Sequence, residues 1–498
     1  MDANRSPTEP LFLGLDLGTT NIKALVVDER GGILGRGAES IRLIHGPQSA
    51  VEQDFEEIWV ATVQAILRAI RGIETHRVRA LGISSQGAAM QLLDDEGRIR
   101  GPVVSWLDGR GLAHDTRLTR QQGAAWFAHR IGHWGSSMTL GQLERLREQS
   151  PAGFDSSFRV GFVGDCIVHR LCGRMAHEPT SAGIAQLYNA RLSDYDPDVL
   201  RLLRLQSSQL PQLIQADQPA GFLLPQIADK LGLPSNIPVS AALHDQYAAA
   251  LGIGAVSPGQ VMFGAGTAWV LLALMRHWSE PASPDAFVCA HCCPGLFGQI
   301  LSLRTGGTAL HFMQNLTGQS QASGPLENGL ASIPPGSDGL LCLPFFQGTP
   351  PAGIKLGCRG AILGLQSHHT PAHVVRATVE GLVFELNRHL GFVKRAETAL
   401  SRIVMCGGAA SGDVVPQMVS DVTGLPVACA GESESSALGA AIVARKLVEP
   451  QFAWQQLVTC MVPAPRLFLP GSQRSIYQEG FERFLESLRQ LGLLSSPS

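Results

Sequence analysis

A strand–turn–strand built around Gly-Thr occurs twice in this chain, about half a chain apart. No other feature limits the possible fold as strongly. The apolar run Leu11-Phe12-Leu13-Gly14-Leu15 leads into Asp16-Leu17-Gly18-Thr19-Thr20-Asn21, and a second β-like run, Ala24–Asp28, ends at the Gly31-Gly32 turn. Gln260–Phe263, then Gly264-Ala265-Gly266-Thr267, then Ala268–Leu274 repeat the same grammar. A repeat of this period points to duplicated α/β units facing each other across a cleft. The first copy is not a phosphate-binding loop of the Gly-Lys-Ser/Thr kind, because no such triplet follows and the chain continues as strand instead of helix. The length agrees: 498 residues exceed the ~250–300 at which a single core stops growing.

Between the two hairpins, and after the second, the pattern alternates. Asp54–Arg71 carries acidic residues in its first turn and Ile58, Ala61, Ile66 and Ile70 at helical spacing. Arg79–Ser84 reads as a strand. Thr370-Pro371 opens a helix through Arg395, with Thr as N-cap and Pro at N1. Arg402–Cys406 is a short buried strand, Val414–Thr423 a helix, and Glu434–Arg445 an Ala-rich helix. Thr349–Gly353 reads as a loop, and the terminal Ser-Ser-Pro-Ser as frayed.

A net charge of −3 gives no electrostatic case for nucleic acid or an anionic membrane as partner. No apolar run is long enough to span a bilayer. Met1–Pro10 lacks the basic and apolar regions of a secretory signal. The ten scattered cysteines therefore read as buried free thiols of a cytoplasmic protein.

The chemistry is concentrated in a few turns. A polyphosphate needs backbone N–H groups, small residues and hydroxyls at close range, and a Gly-Thr hairpin supplies all three. Asp16, just before the first turn, is placed to hold Mg2+, which takes oxygen ligands. A plain β-turn with Asp as turn former explains one copy, but explains two copies poorly. Asp245 lies at a strand-to-helix transition, at the sheet edge where clefts form. Alone it reads as an N-cap. Its place just before the second hairpin turns the reading towards a base that accepts a hydroxyl proton in a loose phosphoryl-transfer transition state. Cys406-Gly407-Gly408-Ala409-Ala410 offers a bare backbone against which a nucleotide can lie, or else a tight strand–helix packing.

Asp16-Leu17-Gly18-Thr19-Thr20, Trp106-Leu107-Asp108-Gly109-Arg110, His244-Asp245-Gln246, Gly264-Ala265-Gly266-Thr267 and Gly407-Gly408-Ala409 occur in this order. Together, from about Leu11 to Arg445, they resemble the FGGY family of carbohydrate kinases. The resemblance implies two actin-like (ribonuclease H-like) α/β domains with mixed sheets flanked by helices and a cleft between them. Residues 1–248 would carry the sugar, and residues 249–498 the nucleotide. It implies ATP with Mg2+, a small sugar or polyol as partner, xylulose-like ketopentoses first, and it allows a homodimer. Asp245 would accept the proton and Asp16 would handle phosphate, both near the metal. Gly18, Thr19, Thr20, Gly266, Thr267, Gly307, Gly408 and Ala409 would line the nucleotide. Gln86, Gly87, Ala88, Trp106, Asp108 and Gln246 would lie on the sugar side.

The chain departs from the family where the sugar is read. Xylulokinase-like members carry Gly-Gln-Met-His-Gly after the Leu81–Ser84 strand, whereas this chain has Ser85-Gln86-Gly87-Ala88-Ala89. Loss of the Met-His pair suggests a pocket for a bulkier or less polar substrate. The competing reading is a catalytically weak ATP-binding regulator on the same fold. Cys289-Ala290-His291-Cys292-Cys293 does not have structural-zinc spacing and reads as no metal site. His368, His369 and His373 read as a solvated helix start, and Lys23 as a solvated lysine.

Overall fold

The computed structural model describes residues 9–150, 158–319, 326–346, 352–355, 357–395, 399–431 and 434–494. Met1–Thr8, most of the Thr349–Gly353 loop and Ser495–Ser498 lie outside them.

The repeat in the sequence is a repeat in topology. In the first half, β1 (Leu11–Leu17), β2 (Asn21–Asp28) and β3 (Ile33–Ser40) form an antiparallel meander; β4 (Val78–Ser85) pairs parallel to β1, and β5 (Pro238–His244) parallel to β4. The second half copies this. β6 (Gln260–Ala265) and β7 (Trp269–Met275) form the hairpin, and the Phe287–Ala290 strand (β8) leads into β9 (Phe297–Ser302) on the far side of β7. β10 (Arg402–Cys406) then pairs parallel to β6, and β11 (Val427–Cys429) parallel to β10. The first sheet contains the order β3-β2-β1-β4-β5, and the second repeats it as β9-β7-β6-β10-β11 with β8 added outside β9. The chain thus folds as two actin-like halves, as expected. The parallel strands are buried along nearly their whole length, as strands covered on both faces must be.

Seven helices shape the site and its supports: α1 (Phe55–Ala69), α2 (Pro179–Ile184), α3 (Asp245–Gly252), α4 (Gly307–Leu316), α5 (Pro371–Arg395), α6 (Val414–Thr423) and α7 (Ser435–Val448). Asp54 caps α1 by accepting from the Glu56 N–H, as its place in the sequence predicts. The Ala-rich α7 crosses back to the first half and lies on β1 and β4. It also meets α3 backbone to backbone: a Cβ on Gly439 would stand 1.8 Å from the Ala248 carbonyl oxygen, and one on Gly252 1.9 Å from that of Ser435. Only glycine permits this approach.

Each sheet has its own apolar core, and a third cluster containing Phe12, Leu243, Leu251, Ala441 and Trp454 joins the halves. A further five-stranded sheet in the first half carries Gln53 and the segment after β4. Nine cysteines are buried and free, as expected, but Cys460 is exposed. His373 is not solvated: it is buried and bonds Asp338 Oδ2 at 3.1 Å. Among the described residues no helix is long and apolar enough to cross a membrane.

Candidate active site

Strand register creates the site. Leu17 stands opposite Ser85, and Ser85 opposite His244, so β1, β4 and β5 end side by side. Asp16 and Asp245 therefore project from the same edge of one sheet, separated by the width of β4. Asp245 is not the N-cap: it is the first residue of α3, and His244 stands in the cap position. Its side chain is left half-buried and free for chemistry.

The surroundings act against both carboxylates in their charged forms. Burial pushes Asp16 up to about 7, the Asp245 charge adds to this, and the Ser84 hydroxyl at 2.8 Å and Lys23 partly offset it. Burial pushes Asp245 up to about 6, against hydrogen bonds from Gln246. Two neighbouring carboxylates are hard-oxygen donors of the kind that Mg2+ takes. Lys23 is not merely solvated: its Nζ pairs with Glu434 at 2.7 Å, joining the first hairpin to the start of α7. The Ser436 hydroxyl donates to the Asp245 carbonyl at 3.2 Å, a second tie between the halves.

In the second half, Gly266 and Thr267 form the exposed turn between β6 and β7. The N-terminus of α4 is tied to them: Gly307 N donates to Gly266 O at 3.2 Å and Thr308 N to Thr267 O at 3.1 Å. Gly407 packs against Ala265, which brings exposed Gly408 and half-buried Ala409 to the same place. Gln246 turns this way too, with Oε1 beside β6 at Gly264, and it bonds Asp245. It therefore bridges the halves.

The first turn is linked directly to Trp106, Gln53 and, through Gln53, Gln86. Trp106 Nε1 donates to Thr19 Oγ1 at 3.0 Å while its ring stays 44% exposed. Gln53, which the sequence did not single out, donates to the Thr19 carbonyl at 2.9 Å and accepts from Gln86 Nε2 at 3.1 Å. Gly18 closes the turn with its N–H on Asn21 O, and Thr20 is exposed at its tip. Asp108 departs from the expected sugar contact. Its carboxylate is buried and accepts from Val51 N, Arg110 and Gln142, so it holds the loop that carries Trp106.

The loop after β4 is not the emptied pocket that its small residues suggest. The His244 imidazole fills the space a side chain at Gly87 would take. A Cβ on Gly87 would lie 2.4 Å from His244 Cδ2, 2.6 Å from Nε2 and 2.8 Å from Ile184 Cγ2. Ala88 beside it has φ +54 and is buried. Burial pushes His244 down to about 3, so the ring is neutral. Its Nδ1 lies 3.5 Å from Asp245 Oδ1 and has no hydrogen-bond partner among the described residues. His244 is the site residue that the sequence motifs leave without a role; the signal for it is a bulky residue before Asp245 paired with glycine at 87.

Residues 11–252 match the N-terminal domain of the FGGY family of carbohydrate kinases, and residues 238–446 match its C-terminal domain. The chain is 26% identical over 482 residues to a probable L-xylulose kinase of Pasteurella multocida, covering 95% of this chain and 97% of that one. It is 26% identical over 487 residues to the xylulose kinase of Escherichia coli, covering 97% and 99%. The crystal structure of the xylulose kinase from Rhodospirillum rubrum superposes with a TM-score of 0.89 at 23% identity, covering 97% of this chain and 99% of that one.

Proposed function

The chain belongs to the FGGY family of carbohydrate kinases, and we propose that it moves the γ-phosphoryl group of ATP to a hydroxyl of a ketopentose, with Asp245 accepting the proton. The observation that carries this reading is Asp16 and Asp245 at one sheet edge, with Gln246 reaching from Asp245 to Gly264 on the strand that leads into the second Gly-Thr turn. Relatives named for xylulose and L-xylulose support the ketopentose. On this reading residues 1–248 hold the sugar and residues 249–498 the nucleotide.

Thr19, Thr20, Gly18, Gly266 and Thr267 offer small backbone and hydroxyls to the phosphates, and the α4 terminus at Gly307 adds its positive dipole end. Gly408 and Ala409 leave room for the nucleoside. Asp16, with Asp245, would hold Mg2+, which when bound neutralises phosphate charge. Asp245 is a weak base, and a loose transition state asks for no more, because the acceptor proton leaves late. Neutral His244 keeps its free Nδ1 beside the Asp245 oxygen, where it orients the carboxylate or a sugar hydroxyl without adding charge. Gln86, Gly87, Ala88 and Trp106 form the rest of the sugar wall. Meeting of the two halves excludes water and limits ATP hydrolysis.

The test is ADP release with MgATP across ketopentoses, aldonates, polyols and ketoheptoses, with Asp245→Asn run in parallel. Release dependent on a ketopentose, and reduced about 10²–10⁴-fold in the variant while ATP still binds, supports the reading. Absence of acceptor-dependent release from protein that binds ATP refutes it.

A further inference from the structure

The turn between β8 and β9 gathers a set of groups that the kinase reaction does not use. His291, Cys292 and Cys293 are all buried, and one ring nitrogen and both sulfurs lie within 4.8 Å of one another. A zinc tetrahedron, with Zn–S about 2.3 Å and Zn–N about 2.0–2.1 Å, needs these atoms only slightly closer. Hydrogen bonds of the turn bring these groups together, and a metal on Nδ1 would displace the Cys293 N–H from it. Cys293 N donates to His291 Nδ1 at 2.9 Å, and His291 N to Leu296 O at 3.0 Å.

Apolar packing does not account for the group. His291 is only 5% exposed, yet its Nε2 has no hydrogen-bond partner among the described residues. Glu178 at the start of α2 is fully buried, feels the His291 imidazole, and has an Oε1 with no such partner. Each unmet polar group costs about 1–3 kcal/mol. A cation held by the two thiols and the imidazole would give these buried groups a shared role.

The position is equally distinctive. β8 packs on α2, where Cys289 touches Gly183. The His291 ring meets Tyr247 of α3 edge-on, with centroids 5.4 Å apart, and the Tyr247 hydroxyl donates to Gly298 O at 3.1 Å. The group therefore sits where the edge hairpin of the second half grips the two helices of the first that flank His244.

We propose that His291, Cys292 and Cys293 form a site for one thiophilic divalent cation, zinc fitting best, at the junction of the halves. Three protein ligands leave one tetrahedral position open. Binding breaks two S–H bonds, forms two metal–sulfur bonds and releases two protons to solvent, with no change of oxidation state. Hard oxygens at Asp16 and Asp245 select Mg2+, and soft sulfur here selects zinc.

The probe is Co2+, titrated into chelator-stripped, reduced full-length protein in excess Mg2+, with Zn2+ added afterwards. One equivalent should bind with the visible bands and sulfur charge-transfer absorption of a tetrahedral thiolate site, and Zn2+ should erase them. Cys292→Ser/Cys293→Ser should lose the signal, whereas Cys460→Ser, which removes the exposed thiol, should keep it. His291→Gln should bind at least ten-fold more weakly. Zn2+ should also raise the thermal midpoint of the native chain and not that of the double variant, whose fold is checked by near-ultraviolet circular dichroism. Absence of thiolate bands in the native chain overturns the proposal, as does an equal signal in a folded double variant.

Discussion

The contact between Gly87 and His244 gives the sharpest perturbation. Gly87→Ala adds one carbon, placed 2.4 Å from His244 Cδ2 and 2.6 Å from its Nε2. Ordinary contact begins near 3.4 Å, so the ring must retreat by about 1 Å. Ile184, 2.8 Å from the same carbon, blocks one way out. Overpacking of this kind costs about 1–3 kcal/mol. His244 is joined directly to Asp245, and its Nδ1 lies 3.5 Å from the carboxylate, so the displacement reaches the proposed base. A shift of about 1 Å in a reacting group can lower the rate about 10²-fold. We therefore expect kcat/KM for the preferred ketopentose to fall ten- to a hundred-fold in Gly87→Ala, with ATP binding unchanged. His244→Ala should also be impaired, but Gly87→Ala/His244→Ala should lose less than the two single losses combined, because the clash with the ring is then gone and only Ile184 still crowds the methyl. Steady-state kinetics on the four proteins close the cycle. Gly87→Ala activity within two-fold of the parent would refute the coupling of this contact to the base, and so would losses that simply add in the double variant.

Three further outcomes come from the scaffold. Gly439→Ala drives a carbon to 1.8 Å from the Ala248 carbonyl, so α3 and α7 must separate; a loss of about 3 kcal/mol should appear as a lower urea midpoint or no soluble protein. Arg376→Leu strips the buried Glu380 of its 3.0 Å partner and frees the Tyr477 hydroxyl, which should cost about 3–5 kcal/mol in denaturant unfolding, whereas Glu380→Gln should cost less. Burial pushes Asp115 up to about 6, against hydrogen bonds from Ser136 and Gly141 N and the nearby His114. The folded chain then keeps a proton that the unfolded chain, near 3.8, has lost, so the stability from this group is full below about pH 4 and falls as pH rises to about 6. Asp115→Asn should flatten that part of the melting-temperature profile, and an unchanged slope would refute the assignment.

The duplicated fold is legible in the sequence because its signal is local. Each hairpin is a run of apolar residues, a Gly-Thr turn and a second run, and hydrogen bonding within that segment settles its form. Asp54 as a cap and Thr370-Pro371 as a helix start are legible for the same reason. What the sequence hides depends on segments far apart along the chain. Lys23 looks solvated in the sequence because its partner, Glu434, lies near the other end. The Ala-rich α7 is readable as a helix, but not as one that returns to β1 and β4. Small residues at Gly87 and Ala88 look like lost contacts; the ring that fills the gap comes from β5. The motif around Asp108 points to the sugar, yet Val51 N, Arg110 and Gln142 already take up its oxygens.

Local and global preferences agree through most of this chain: apolar strands are buried, caps are satisfied and glycines sit where backbones touch. Several of the disagreements meet at one edge of the first sheet. Asp16 and Asp245 are carboxylates raised by burial, one of them further raised by the other, and beside them stands a neutral histidine with an unmet ring nitrogen. Folding alone does not favour any of the three, since apolar residues of similar size would be cheaper to bury. A sheet edge that carries this cost, faces a second Gly-Thr turn and is crossed by two helices locked backbone to backbone is organised around something other than its own packing. A cation-bound polyphosphate and a polar sugar meet each of the unmet demands: charge for the carboxylates, hydrogen bonds for the imidazole, and phosphate oxygens for the exposed turns. The location of these costs points to the same chemistry as the relatives do, and it would do so if no relative of the chain were known.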